Sequence, residues 1–124
     1  MKITVNSASE LPIYQQIFDA VSTGILKGEI KGGETLPTIR FVAQELRISV
    51  IGVKRAWEEL ERAGFIHTAV GRGSFAATLS EAEIAEKRRA LLRERLQSGA
   101  DYCRALGVSA EEAAAVLQEL LQTP

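Results

Sequence analysis

Residues 36–75 hold two short apolar stripes of helical period, a three-residue turn between them, and then a ribbon with a glycine tip. Ile39, Val42, Ala43 and Leu46 repeat as i, i+3, i+4, i+7, with Thr38 ahead of them as an N-cap. Arg47-Ile48-Ser49 makes the turn. Ser49 caps the next helix, and Val53, Ala56, Trp57 and Leu60 form its buried stripe up to the terminating Gly64. Residues 65–70 have strand composition, and residues 74–77 can pair back across Gly71-Arg72-Gly73. Helices this short are marginal on their own, so each must pack on the other and on the ribbon. That order of elements can lay the second helix in a DNA major groove with the ribbon tip beside it.

The flanking segments complete a core. Ile13, Ile17, Val21 and Ile25 recur every four residues, widened by Tyr14, Phe18 and Leu26, which predicts an amphipathic helix from about Pro12 to Lys27, ended by Gly28. Gly32-Gly33 is a turn, and Leu36 is extended because it precedes Pro37. After residue 78 the character changes. Ser80 with Glu83, and Ser109 with Glu112, have capping-box spacing and predict helices starting near Glu81 and Ala110. Ala85, Leu92, Leu96, Gly99, Cys103 and Leu106 make a seam on the first, and Ala113, Val116, Leu117, Leu120 and Leu121 make a stripe on the second. Two helices joined at Gly107 cannot bury stripes that long against each other, so a second copy of the chain is the expected partner, with docking onto the first helix as the alternative. The expected fold is mainly α with a small β-wing: a winged helix-turn-helix DNA-binding domain over residues 1–78 and a two-helix dimerisation tail over residues 79–124.

Composition removes other classes. A chain of 124 residues has room for one ordinary domain, or for a compact domain of roughly 75 residues and a helical appendage, which excludes a large catalytic architecture. Hydrophobic residues at 46% and charged residues at 25% are globular values. Cys103 is the one cysteine, so no intrachain disulfide forms; no zinc-ligand spacing accompanies it, and no cofactor is expected. The opening run from Met1 to Asn6 is too short for a signal-peptide core, and no segment reaches the roughly 18 uncharged residues of a membrane span. A soluble, unprocessed, cytoplasmic protein without membrane contact is the expectation. A net charge of −1 gives no bulk basic signature. Residues 36–73 nevertheless carry six Lys or Arg against four acids, and Glu58, Glu59 and Glu61 fall late in the second helix, leaving its start locally positive. A mixed solvated helix face would give the same count. Those glutamates diverge around the helix and no nucleophile accompanies them, so an enzyme is not expected. His67 reads as a half-exposed strand residue, Trp57 as core, and Cys103 as a small apolar seam residue with a redox role as the alternative.

With Val53, Ala56 and Trp57 turned inward, the outward positions at the start of the second helix are Ile51, Gly52, Lys54 and Arg55, the last two able to reach phosphates or guanine edges. Val50 and Ile51 could touch thymine methyl groups, and packing on the core is the other reading of Val50. Gly52 costs roughly 1 kcal/mol of helix stability relative to alanine and permits close approach to a DNA backbone. Arg40, in the first turn after Thr38, sits where a phosphate would also meet a helix N-terminus. The expected DNA-contacting set is Thr38, Arg40, Ser49, Val50, Ile51, Gly52, Lys54, Arg55, Gly71, Arg72 and Gly73. The expected dimerisation set is Leu92, Leu96, Cys103, Leu106, Leu117 and Leu121.

Leu36-Pro37-Thr38-Ile39-Arg40, Ala43, Leu46, Ser49, Val53-Lys54-Arg55-Ala56, Leu60, Gly64 and Gly71-Arg72-Gly73-Ser74-Phe75 together resemble the winged-helix signature of the GntR family of bacterial transcription regulators. Pro12-Ile13-Tyr14-Gln15-Gln16-Ile17 resembles that family's first helix, so the resemblance spans roughly residues 11–77. Most members carry a long C-terminal effector domain. The short two-helix tail here resembles instead the YtrA subfamily, whose members dimerise through it and are often associated with ABC-transporter operons. Relatives often have polar residues just after the recognition-helix N-cap and Thr before the Val-Lys or Val-Arg pair. This chain has Val50, Ile51 and Gly52 there, which thins polar base readout. The resemblance implies a homodimeric regulator, expected to be a repressor, on a near-palindromic double-stranded DNA operator, its affinity drawn mostly from phosphates and its specificity from a few base contacts and DNA shape. A winged helix used as a protein-interaction module is the alternative, against which Lys54, Arg55 and Arg72 speak. The sequence names no small-molecule effector, and a third reading, a small ligand-binding helical protein, lacks the residues for an enclosed pocket in the tail unless the dimer interface supplies one.

Overall fold

Seven elements follow one another in the computed structural model, which describes residues 3–123. They are α1 (Ile13–Leu26), α2 (Ile39–Leu46), α3 (Val50–Arg62), β1 (Ile66–Ala69), β2 (Gly73–Ala76), α4 (Glu81–Leu106) and α5 (Ala110–Gln122). Met1 and Lys2, which begin the N-terminal opening run, and Pro124 lie outside the described residues. The chain divides into two compact units, Met1–Glu81 and Ala82–Pro124.

In the first unit, α1 begins at Pro12, and its entry is tied down by Gln16, whose amide donates to the carbonyls of Leu11 and Asn6 while its oxygen accepts from the Asn6 N–H at 2.7 Å. The expected face is the buried one. Ile17, Phe18, Val21 and Ile25 of α1 lie in the core with Val53, Ala56, Trp57 and Leu60 of α3 and Val42 and Ala43 of α2. Ser22, buried among them, donates to the Phe18 carbonyl at 2.7 Å, which removes the cost of an unpaired hydroxyl. Phe65 closes the core just beyond α3, its ring edge-on to Phe18 with centroids 5.9 Å apart.

The turn between α2 and α3 is built by caps. The Thr38 hydroxyl accepts from the Phe41 N–H at 3.0 Å, and the Ser49 hydroxyl accepts from the Ile51 N–H at 3.1 Å. Between them, Arg47 takes the left-handed conformation at φ 56°, with Ile48 N–H donating to the Ala43 carbonyl and Arg47 N–H to that of Gln44. This is a Schellman ending made without glycine.

The ribbon pairs Ile66 with Ala76, His67 with Phe75, Thr68 with Ser74 and Ala69 with Gly73, antiparallel. Its first strand begins one residue later and stops one residue earlier than its composition predicts, because Val70, Gly71 and Arg72 form the turn, closed by the Arg72 N–H on the Ala69 carbonyl. Gly71 (φ 77°) and Gly73 (φ 101°) hold conformations that a side chain would strain. One pairing has no counterpart in the sequence pattern. Thr35 bridges to Phe75, with Leu36 N–H donating to Ser74 and Ala76 N–H to Glu34, so the segment entering α2 is tied to β2 by a single-residue bridge.

The second unit consists of α4 and α5. Gly107 ends α4 with the Schellman pair, Val108 N–H to Cys103 and Gly107 N–H to Arg104, and Ser109 caps α5 by accepting from the Glu112 N–H at 3.1 Å. Neither helix has a buried residue, and the two scarcely touch each other.

Candidate nucleic-acid interface

Burial of Val53, Ala56, Trp57 and Leu60 fixes the rotation of α3 about its own axis. The opposite side of its first two turns therefore faces outward: Val50 is 48% exposed, Ile51 77%, and Lys54 is exposed, with no ion pair to Lys54 among the described residues. A Cβ on Gly52 would meet no atom within 4 Å, so the glycine leaves a dent in this face rather than relieving a clash. Arg55 is exposed as well, but its guanidinium lies 3.8 Å over the ring of Tyr14. That cation–π contact ties Arg55 to α1 and leaves Lys54 as the one strong donor in these two turns that is not held elsewhere among the described residues.

Neither α2 nor α3 has an acidic residue in its first turn, so the partial positive charge at each N-terminus is unopposed locally. Thr38 and Ser49 cap those termini through their oxygens, and each hydroxyl keeps its own O–H to donate to an anionic oxygen. Arg40 is exposed at the second position of α2. The pairing of Thr35 and Leu36 with β2 joins the start of α2 to the wing, so Thr38 and Arg40 are fixed relative to the strand that leads back to Gly71, Arg72 and Gly73. All three wing residues are exposed, and Val70 beside them is wholly so.

Two aromatic residues, one under Arg55 and one exposed on α2, lie outside the set that the sequence pattern points to. Spacing places Tyr14 only in the apolar stripe of α1, and Phe41 on α2 is 52% exposed. Periodicity gives no signal for the first, since the Tyr14–Arg55 stack joins two helices far apart in sequence. His67 is exposed and stacks on Phe75 across the ribbon, with ring centroids 5.6 Å apart. Trp57 is core at 4% exposure. Among the described residues no group of three or more His, Cys, Asp or Glu could hold a metal ion, and no helix is long and apolar enough to cross a membrane.

In the second unit, Leu92, Leu96, Leu106, Leu117 and Leu121 are all exposed, and Cys103 is half-buried. Leu92 and Leu96 share an open groove on α4 with Arg89, Arg93 and Arg104. In contrast α5 carries Glu111, Glu112 and Glu119 and no basic residue.

A capped helix-turn-helix with an outward recognition face and a glycine-tipped ribbon defines a winged-helix DNA-binding transcription regulator. The chain belongs to the GntR family: the family described as "Bacterial regulatory proteins, gntR family" matches residues 13–76. It is similar to the HTH-type transcriptional repressor YtrA of Bacillus subtilis, 33% identical over 95 residues that cover 77% of this chain and 73% of that protein. The HTH-type transcriptional regulator YhcF of the same organism is 32% identical over 104 residues, covering 84% of this chain and 85% of its own length. Among solved structures, a transcriptional antiterminator from Listeria monocytogenes EGD-e superposes with a TM-score of 0.74 at 32% identity, covering 98% of this chain and 91% of the other. The DNA-binding domain of AraR, solved in complex with operator ORE1, gives 0.52 at 26% identity over 62% of this chain and 94% of that domain.

Proposed function

We propose that this chain is a homodimeric repressor that binds a near-palindromic operator, reading it with α3 and holding it through phosphate contacts from Arg40, Arg72 and the caps of α2 and α3. The observation that carries the reading is the division of α3 into a core face and an outward face of Val50, Ile51, Gly52 and Lys54 at its capped N-terminus. In helix-turn-helix proteins it is the first residues of the second helix that meet base edges. Lys54 would supply the polar contact to a base, Arg55 on its Tyr14 platform a phosphate contact, and Gly71, Arg72 and Gly73 the wing contact to the backbone. The tail would be the dimerisation surface through Leu92, Leu96, Cys103, Leu106, Leu117 and Leu121. The exposed leucines on both helices support this, as do Arg89 and Arg93 beside Leu92 and Leu96 on α4, for which the glutamates of α5 in a second copy are candidate partners. Control of a transporter operon is the target class suggested by the YtrA resemblance.

The exposed Val50 and Ile51 also favour a second reading, a winged helix that docks a protein. Selection of duplexes from a random library with the full-length chain separates the two. An enriched consensus with dyad symmetry supports the repressor reading. Recovery of duplexes without any consensus, at an affinity set by salt alone, contradicts it and leaves the protein-docking module.

A further inference from the structure

We infer that the base specificity of this face rests chiefly on thymine C5-methyl groups, packed against Ile51 and flanked by Val50, with Lys54 as the one polar base contact beside them. This deepens the DNA-reading function proposed above and depends on it. The first two turns of α3 offer the major groove two exposed β-branched side chains, Val50 at 48% and Ile51 at 77% exposure, a dent at Gly52, and Lys54, the single donor there not held elsewhere among the described residues. Ile51 is not placed by packing needs, because the core side of α3 is filled by Val53, Ala56, Trp57 and Leu60, whereas Val50 is half covered by the protein. Arg55, the other donor in these turns, is stacked on Tyr14.

On the major-groove edges of the bases the one apolar group is the thymine methyl; guanine and adenine present acceptors, and cytosine and adenine present amino donors. An isoleucine laid over a guanine would strip water from O6 and N7 without replacing their hydrogen bonds, and that desolvation makes the site reject guanine as well as prefer thymine. Gly52, with open space around its Cα, lets the helix approach closely enough for Ile51 to make the contact. The ligand class is thus a half-site with a thymine at the position facing Ile51.

The test uses the full-length chain and a duplex selected with it from a random library. Each thymine of a half-site is replaced in turn by deoxyuridine, which deletes the methyl and keeps every hydrogen-bonding group. Wild-type protein should lose about fourfold in affinity, ~0.8 kcal/mol, for the methyl opposite Ile51. Ile51→Ala should bind the thymine and deoxyuridine duplexes equally at that position while keeping its preference elsewhere. The inference is overturned if deoxyuridine is neutral at every position for the wild type, a result that needs no variant to fold, or if Ile51→Ala retains the full penalty. A consensus that survives complete deoxyuridine replacement overturns this inference alone, whereas a selection that yields no consensus overturns the DNA-reading function beneath it.

Discussion

Arg47 is the one residue other than glycine with a positive φ among the described residues, at the C-terminus of the helix preceding the recognition helix. A side chain there costs about 1–2 kcal/mol relative to the right-handed region, and glycine in its place would raise the entropy of the unfolded chain by about 0.5–1 kcal/mol. Arg47→Gly should therefore stabilise the protein by roughly 0.5 kcal/mol or slightly more, read as a higher urea midpoint; a lower midpoint would mean that the Arg47 side chain makes a compensating contact. Gly52 should behave in the opposite sense for function. Since a Cβ there meets nothing, Gly52→Ala should raise stability by up to ~1 kcal/mol through helix propensity. It should also weaken DNA binding, because in the proposed complex the added methyl would fill the dent turned to the duplex. Unchanged affinity would remove Gly52 from the interface. Arg40 and Arg72 have exposed side chains without structural ties among the described residues, so alanine at either should leave the fold intact and weaken binding to specific and unrelated duplexes alike. The salt slope should flatten by about one unit for each phosphate no longer neutralised. An unaltered slope would place them off the phosphates.

At the level of elements, local chemistry was legible in the sequence and long-range pairing was not. Thr38, Ser49 and Ser109 announce helix starts by a hydroxyl at the right offset from an apolar period, and each accepts the backbone N–H expected of a cap. Ser49→Ala should accordingly cost about 1 kcal/mol of stability, measurable by chemical denaturation, and should loosen the turn of α3 that carries Val50 and Ile51. The bridge from Thr35 to Phe75 was not legible, because a strand of so few residues has no period to detect and its partner is supplied by the ribbon after α3. Only the extended conformation of Leu36 ahead of Pro37 could be read. The Arg55–Tyr14 stack escaped for a related reason: both residues lie on outward flanks whose meeting depends on how α1 crosses α3. Sequence spacing marks Arg55 as outward, whereas the packing decides that its guanidinium is held and that Lys54 is the freer donor.

Among the described residues every buried apolar side chain lies in the first unit, while the second exposes Leu92, Leu96, Tyr102, Leu106, Val116, Leu117, Leu120 and Leu121. Exposed apolar side chains in that number call for a partner, and the proposed reading of two half-sites would benefit from a second copy through effective concentration. Sedimentation at micromolar concentration should show a dimer. The paired change Leu92→Glu with Leu117→Glu should give a monomer whose first unit still melts cooperatively, since its core contains neither residue. A dimer that persisted in that variant would move the interface elsewhere. The claim on which the whole account turns is that α3 reads bases from both halves of a symmetric site, and the most direct test is duplex selection with wild-type protein and with Lys54→Ala. A side chain reading a base edge contributes roughly 1–3 kcal/mol of discrimination, so the variant should lose preference at one position in each half-site, related by the dyad, with the rest of the consensus preserved. Full affinity and an identical consensus for Lys54→Ala would contradict it.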